Sequence, residues 1–266
     1  MKQRSTFLNL IKISKGFTFF GLFLILFFVN TPNGISSLRS ENKNKIKYRT
    51  NFGSCPSRSA GQMTLKMIKV FEESGSLRRV KEQVLNQNMP ERHFVSDYKV
   101  TYDPMLKMLS FNLKCPKPLM KVQIYKDNGV DSYEAILVDS GELYDPTFEV
   151  LLRTEEKIKD ELPYLAIPLG ELEEDIQLKI ARVVSQMGED FRKKISEIIL
   201  NKKKELTVIL SLNGNPSSVF LGPNEWVLKS KKLKRIVAYM ETNKKIPAII
   251  NLTNSKKVVV KFNSSP

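Results

Sequence analysis

Apolar positions change period several times along this chain, and the changes mark its elements. From Ala60 the spacing is helical, with Met63, Met67, Val70 and Phe71 on one face and Gly75 as a stop. A second short helix is predicted over 76–87, with Leu77, Val80, Val84 and Leu85 on one side and Pro90 closing it. The period then falls to two. Residues 93–102 alternate loosely up to Asp103-Pro104. Residues 107–114 alternate well, with Leu109, Phe111 and Leu113 on the face to be buried.

The second half repeats the pattern. Residues 133–138 read as a strand that runs into the turn Ser140-Gly141, and 162–170 as an irregular apolar connector. Over 172–200 the helical period returns through Leu172, Ile176, Ile180, Val183, Val184, Met187, Phe191, Ile195, Ile198 and Ile199, with Gly188 as a break between two helices. Residues 206–212 form a strand, 213–216 a turn and 218–221 the returning strand. A basic amphipathic helix over 229–242 carries Leu233, Ile236, Val237 and Met240 on one face. Strands at 248–252 and 257–262, joined by Thr253-Asn254-Ser255, close the chain.

The most apolar run, 17–29, follows a carboxylate-free head with Lys2, Arg4, Lys12 and Lys15. Thirteen residues span about 20 Å as a helix, short of a hydrocarbon core of about 30 Å. Extended upstream through Phe7, Leu8, Leu10, Ile11 and Ile13, the segment is long enough to cross. Small residues at Gly34-Ile35-Ser36 also suit signal cleavage, so a retained anchor and a cleaved signal both stand. The basic head predicts a cytoplasmic start with the remainder exported, although Arg39, Lys43, Lys45, Lys47 and Arg49 make the far flank basic too. Residues 36–58 have no apolar period and read as a linker.

Charge changes the picture in one respect. The chain of 266 residues has a net charge of +15, unevenly spread. Residues 127–175 hold fifteen acidic and three basic side chains, whereas 192–261 hold sixteen basic and four acidic. A basic pole suits an acidic partner or an anionic surface; solvated lysine faces are the plainer reading. Export argues against nucleic acid, and aromatics are not interleaved with the lysines as a stacking platform requires. Two cysteines, Cys55 and Cys115, are too few for a disulfide framework; one bond and two unpaired residues are both compatible with the sequence.

No reaction centre is legible. The glycines form no phosphate loop, and the single histidine, His93, sits beside Phe94 and Val95 in a predicted strand. Two cysteines and one histidine fall short of a zinc site. The neighbouring carboxylates Glu155-Glu156 and Glu173-Glu174-Asp175 read as solvated faces. The expectation is a chain without catalytic residues, metal or cofactor, built for assembly.

The order of elements resembles the FtsQ/DivIB family of bitopic cell-division proteins. Residues 206–222 (LTVILSLNGNPSSVFLG) are similar to that family's strand, glycine turn and strand ending in Leu-Gly. The helix at 229–240, with Lys232-Leu233, resembles the basic helix that follows. Ile249-Ile250-Asn251-Leu252 stands where an apolar pair precedes Asp-Leu, and Phe262 where an aromatic is common. Asp139-Ser140-Gly141 and Leu162-Pro163 resemble an Asp-x-x-Gly turn and a Leu-Pro connector. Asn251 and Thr253 depart from the usual Asp and Arg.

The resemblance implies an α+β chain: a cytoplasmic head over 1–16, one transmembrane helix over 17–35, and a linker over 36–59. A POTRA-like domain over 60–120 and a mixed domain over 121–266 ending in an antiparallel strand pair would follow. It implies a non-enzymatic scaffold in the inner membrane at the division septum, recruiting FtsB/FtsL-like single-span partners by strand addition. The docking residues would be Thr253, Asn254, Ser255, Lys257, Val258, Val259, Val260 and Phe262. An exported surface-binding protein with a cleaved signal is the alternative.

Overall fold

The computed structural model describes residues 45–86, 94–126 and 131–262. The chain divides into two compact units, Met1–Tyr48 with Tyr102–Leu109, and Arg49–Thr101 with Ser110–Pro266. In the first, the Lys47 N–H donates to Lys107 O at 2.8 Å.

Helix α1 (Ser57–Ser74) buries Ala60, Met63, Thr64, Met67 and Phe71, residues three and four apart that line one stripe. Gly75 ends it in the left-handed region at φ 62°, where its N–H donates to Phe71 O at 2.7 Å. Helix α2 (Leu77–Asn86) follows. Strands β1 (Lys47–Asn51), β2 (Asp97–Asp103) and β3 (Met108–Lys114) form a sheet in the order β1-β3-β2. In β3, Leu109, Phe111 and Leu113 are buried as the alternation predicts. Cys55 and Cys115 are joined in a disulfide, with Cα atoms 4.9 Å apart.

The second unit is dominated by nine strands. In chain order they are β4 (Pro118–Tyr125), β5 (Ser132–Val138), β6 (Leu143–Tyr144), β7 (Tyr164–Pro168), β8 (Ile195–Leu200), β9 (Leu206–Leu212), β10 (Asn215–Gly222), β11 (Pro247–Asn251) and β12 (Val259–Phe262). Their order in the sheet is β12-β11-β10-β9-β8-β7-β4-β5-β6. Helix α3 (Thr147–Thr154) lies between β6 and β7, its buried Phe148 stacked on Phe94 at 5.1 Å. Two crossovers shape the sheet. Helix α4 (Glu174–Met187) and the single turn α5 (Glu189–Arg192) carry β7 into its parallel neighbour β8. Helix α6 (Trp226–Thr242) carries β10 into its parallel neighbour β11. Helices α4 and α6 touch, and Ile180, Val184, Leu233 and Val237 share one core with Val122, Leu165, Ile198, Val208, Val219 and Ile250.

This corrects the expected fold class. The α+β organisation gives way to a mixed α/β chain whose large sheet combines parallel and antiparallel pairs. The β7–β8 and β10–β11 parallel pairs arise because α4 and α6 are each long enough to return the chain to the same end of the sheet, and β4 and β7 are parallel too, with β5, β6 and α3 between them in the chain. Among the described residues no helix is long and apolar enough to cross a membrane. The expected head, the anchor run 17–29 and most of the linker lie outside the described residues, as does His93.

Three local expectations also change. Residues 195–200 form a strand rather than a continuing helix. A register shift between Ile195 and Glu197 breaks the two-residue alternation, so the buried Ile195 and Ile198 fall three apart, as on a helix. The connector at 162–170 contains β7, a short strand between β4 and β8 that Pro163 just before it and Pro168 at its end disguise. The linker at 36–59 contains β1, whose five residues are all exposed and therefore carry no apolar signal.

Candidate docking edge

Strand β12 ends one side of the nine-stranded sheet and, among the described residues, pairs only with β11. It is antiparallel to β11, with Asn251 opposite Val259 and Ile250 opposite Val260. Because side chains alternate, the two faces of this edge differ. On the face of the core, Val219 and Ile250 are fully buried, and Val260 stands next in that row. On the opposite face, Phe220, Asn251 and Val259 stand side by side across three strands, with Phe220 and Val259 38% and 40% exposed. Phe262 is about half exposed as well. Lys261 lies within the strand, where a lysine opposes indiscriminate edge pairing.

The structure divides the predicted docking residues between strand and turn. Val259, Val260 and Phe262 are in β12. Lys257 and Val258 are not: the strand begins two residues later than expected, and Val258 instead packs partly buried against the core. Thr253, Asn254 and Ser255 occupy the turn between β11 and β12.

That turn is fixed by side chains. Asn251 Oδ1 accepts from the Thr253 N–H at 2.9 Å and from Thr253 Oγ1 at 2.7 Å. Asn254 Oδ1 accepts from the Lys256 N–H at 2.9 Å and the Lys257 N–H at 3.3 Å. Both are Asx-type bonds, in which a short amide replaces a missing backbone partner. Lys232 Nζ donates to Ser255 O at 3.1 Å. Lys229, only 4% exposed, donates through Nζ to Leu221 O at 2.8 Å and to Thr253 O at 3.1 Å.

Neighbouring residues complete the corner. The Leu252 N–H donates to Phe220 O at 2.8 Å, and Trp226 Nε1 donates to Gly222 O at 2.6 Å. Gly222 has φ 71°, and a Cβ there would meet Thr253 Cγ2 at 3.4 Å. Lys229 was hidden in the sequence among the lysines of a basic helix. The signal was its spacing: Trp226, Lys229, Leu233 and Val237 follow one buried stripe.

The charged blocks are partly used against each other. Lys193 meets Asp160 at 2.9 Å, and Lys204 meets Glu173 at 2.9 Å and Glu171 at 3.7 Å. Glu149, 7% exposed, is held by Arg153 Nε at 2.7 Å and Lys121 Nζ at 3.4 Å. Glu155 is not a solvated carboxylate either. It accepts from the Ser57 N–H at the start of α1 and meets Lys157 Nζ at 2.9 Å. Lys157 also donates to Cys55 O and, at 3.0 Å, to Ser57 Oγ. Burial would raise the Glu155 carboxyl, but the Ser57 N–H and Lys157 outweigh it and hold the group at about 2. Among the described residues, no three His, Cys, Asp or Glu side chains converge as a metal ion would require.

No family model and no curated protein matches the chain. Among solved structures it is similar to the major extracytoplasmic domain of the trans isomer of the bacterial cell division protein DivIB from Geobacillus stearothermophilus. The two are 14% identical with a TM-score of 0.31, over 49% of this chain and 98% of that one.

Proposed function

We propose that this chain is a non-enzymatic scaffold of cell division that recruits FtsB/FtsL-like partners by adding a strand to β12. The division setting follows from the sequence resemblance described above. The observation that supports the docking mode is the four-residue outer strand with exposed Val259 and Phe262, paired on one side only among the described residues. An incoming strand would gain main-chain hydrogen bonds from that edge and specificity from alternate side chains. Lys256, Lys257 and Lys261 favour an acidic partner segment. The Cys55–Cys115 disulfide supports an oxidising, extracytoplasmic compartment.

Capture of partners from membranes by the full chain, compared with the same chain ending at Asn254, tests the proposal. Loss of a small single-span protein along with the last strand is the expected result. Equal recovery by both chains would place the docking surface elsewhere.

A further inference from the structure

Lys229 lies in the first turn of α6, where the positive end of the helix dipole opposes a cation; the turn itself holds no acidic residue, and Glu225 stands before it at the N-cap. Burying an amine also costs free energy unless its donors are satisfied. A lysine at that position therefore calls for a specific use. Its Nζ bridges two backbone carbonyls from different elements, Leu221 O at the end of β10 and Thr253 O in the turn that leads to β12. Lys232, one turn further along α6, holds Ser255 O in the same turn. Seven residues separate β11 from β12, a long connection for adjacent antiparallel strands. Without these two grips, the hydrogen bonds left to the connection would be its Asx bonds at Asn251 and Asn254 and the Leu252 N–H bond to Phe220 O.

We propose that Lys229, assisted by Lys232, is the positioning residue of the docking edge. It clamps the Thr253–Ser255 turn onto α6 and so sets where β12 begins and how it is presented to an acidic strand. This rests on the docking reading above and adds to it the device that organises the edge in advance. Preorganisation of this kind raises affinity by reducing the ordering cost of binding.

The test uses the full chain carrying Lys229→Met, which keeps the apolar stem and removes the donor. Amide hydrogen exchange is read at Thr253, Lys256 and Lys257, with the amides of β8 and β9 as internal reference. Binding is read with a synthetic peptide of alternating Glu and Val. Loss of a buried hydrogen bond predicts exchange faster by about tenfold in the turn, unchanged exchange in β8 and β9, and peptide affinity lower by about tenfold. A role in general stability would instead accelerate exchange across the whole sheet, and that result would overturn the proposal. So would unchanged exchange in the turn of a folded Lys229→Met chain.

If Lys229→Met does not fold, the variant Lys232→Met, at a half-buried position, decides. Exchange at Lys256 and Lys257 faster by about threefold supports the clamp, and no change overturns it. Faster exchange in the turn, with no peptide bound even by the unsubstituted chain, would uphold the clamp and overturn the docking reading.

Discussion

Glu155 closes the N-terminus of α1 from 98 residues away: its two carboxylate oxygens accept from the Ser57 N–H at 2.8 and 2.7 Å. Pro56, the residue that precedes the helix, supplies no side-chain cap of its own. The carboxylate satisfies an otherwise unpaired donor and meets the positive end of the helix dipole.

The first prediction follows from the Glu155 carboxyl, held at about 2 against an ordinary 4.5. A depressed folded value adds stability that is present above pH 4.5 and lost as pH falls through 2. With the group partly screened by solvent, Glu155→Gln should cost about 1–2 kcal/mol at neutral pH. Denaturant unfolding at several pH values checks this. The gap between the two proteins should narrow below pH 4.5 and close near pH 2. A gap that stays constant with pH would assign the loss to packing instead.

The disulfide lies beside this cap. Cys55 and Cys115 are 60 residues apart in sequence, so the bond removes considerable freedom from the unfolded chain. Joint replacement by serine should lower stability by about 2–4 kcal/mol, measured by urea unfolding without reductant. Reducing the unsubstituted protein should reproduce most of that loss, and should have no effect on the double variant.

Two glycines with positive φ separate strain from crowding. Gly141 has φ 88°, and a Cβ there would lie 2.8 Å from Leu178 Cα, so α4 blocks any side chain. Gly214, in the turn between β9 and β10, has φ 81° with open space around it. Gly214→Ala should cost about 1 kcal/mol from backbone conformation alone. Gly141→Ala should cost about 2 kcal/mol more, because helix α4 must also shift. Thermal unfolding of the two variants gives the difference, and equal losses would show that α4 yields freely.

How far the fold was legible depended on whether one face of an element was dry and the other wet. The stripe in α1 and the alternation in β3 were readable because each buries a single face. The strand–turn–strand at β9 and β10 was readable from Asn213-Gly214, both with positive φ. Strand β1 was not, because all five of its residues are exposed. Strand β8 was mistaken for helix because a bulge set its buried isoleucines at helical spacing. At the candidate edge, the apolar residues of β12 were legible. The grip of Lys229 was not, since a buried lysine and a solvated one look alike in a lysine-rich segment until the helical period is extended back to Trp226.

The most direct test of the central claim is amide hydrogen exchange of the full chain with and without an FtsB/FtsL-like partner, repeated with Val259→Pro and Val260→Pro. Of two neighbours in a strand, one turns its N–H toward β11 and the other toward the free edge, so the pair samples both directions. The account predicts that the partner slows exchange within β12, and that the proline replacing the outward donor abolishes binding while leaving the sheet core protected. Binding that survives both substitutions, or a bound partner that leaves β12 exchange unchanged, would contradict strand addition at this edge.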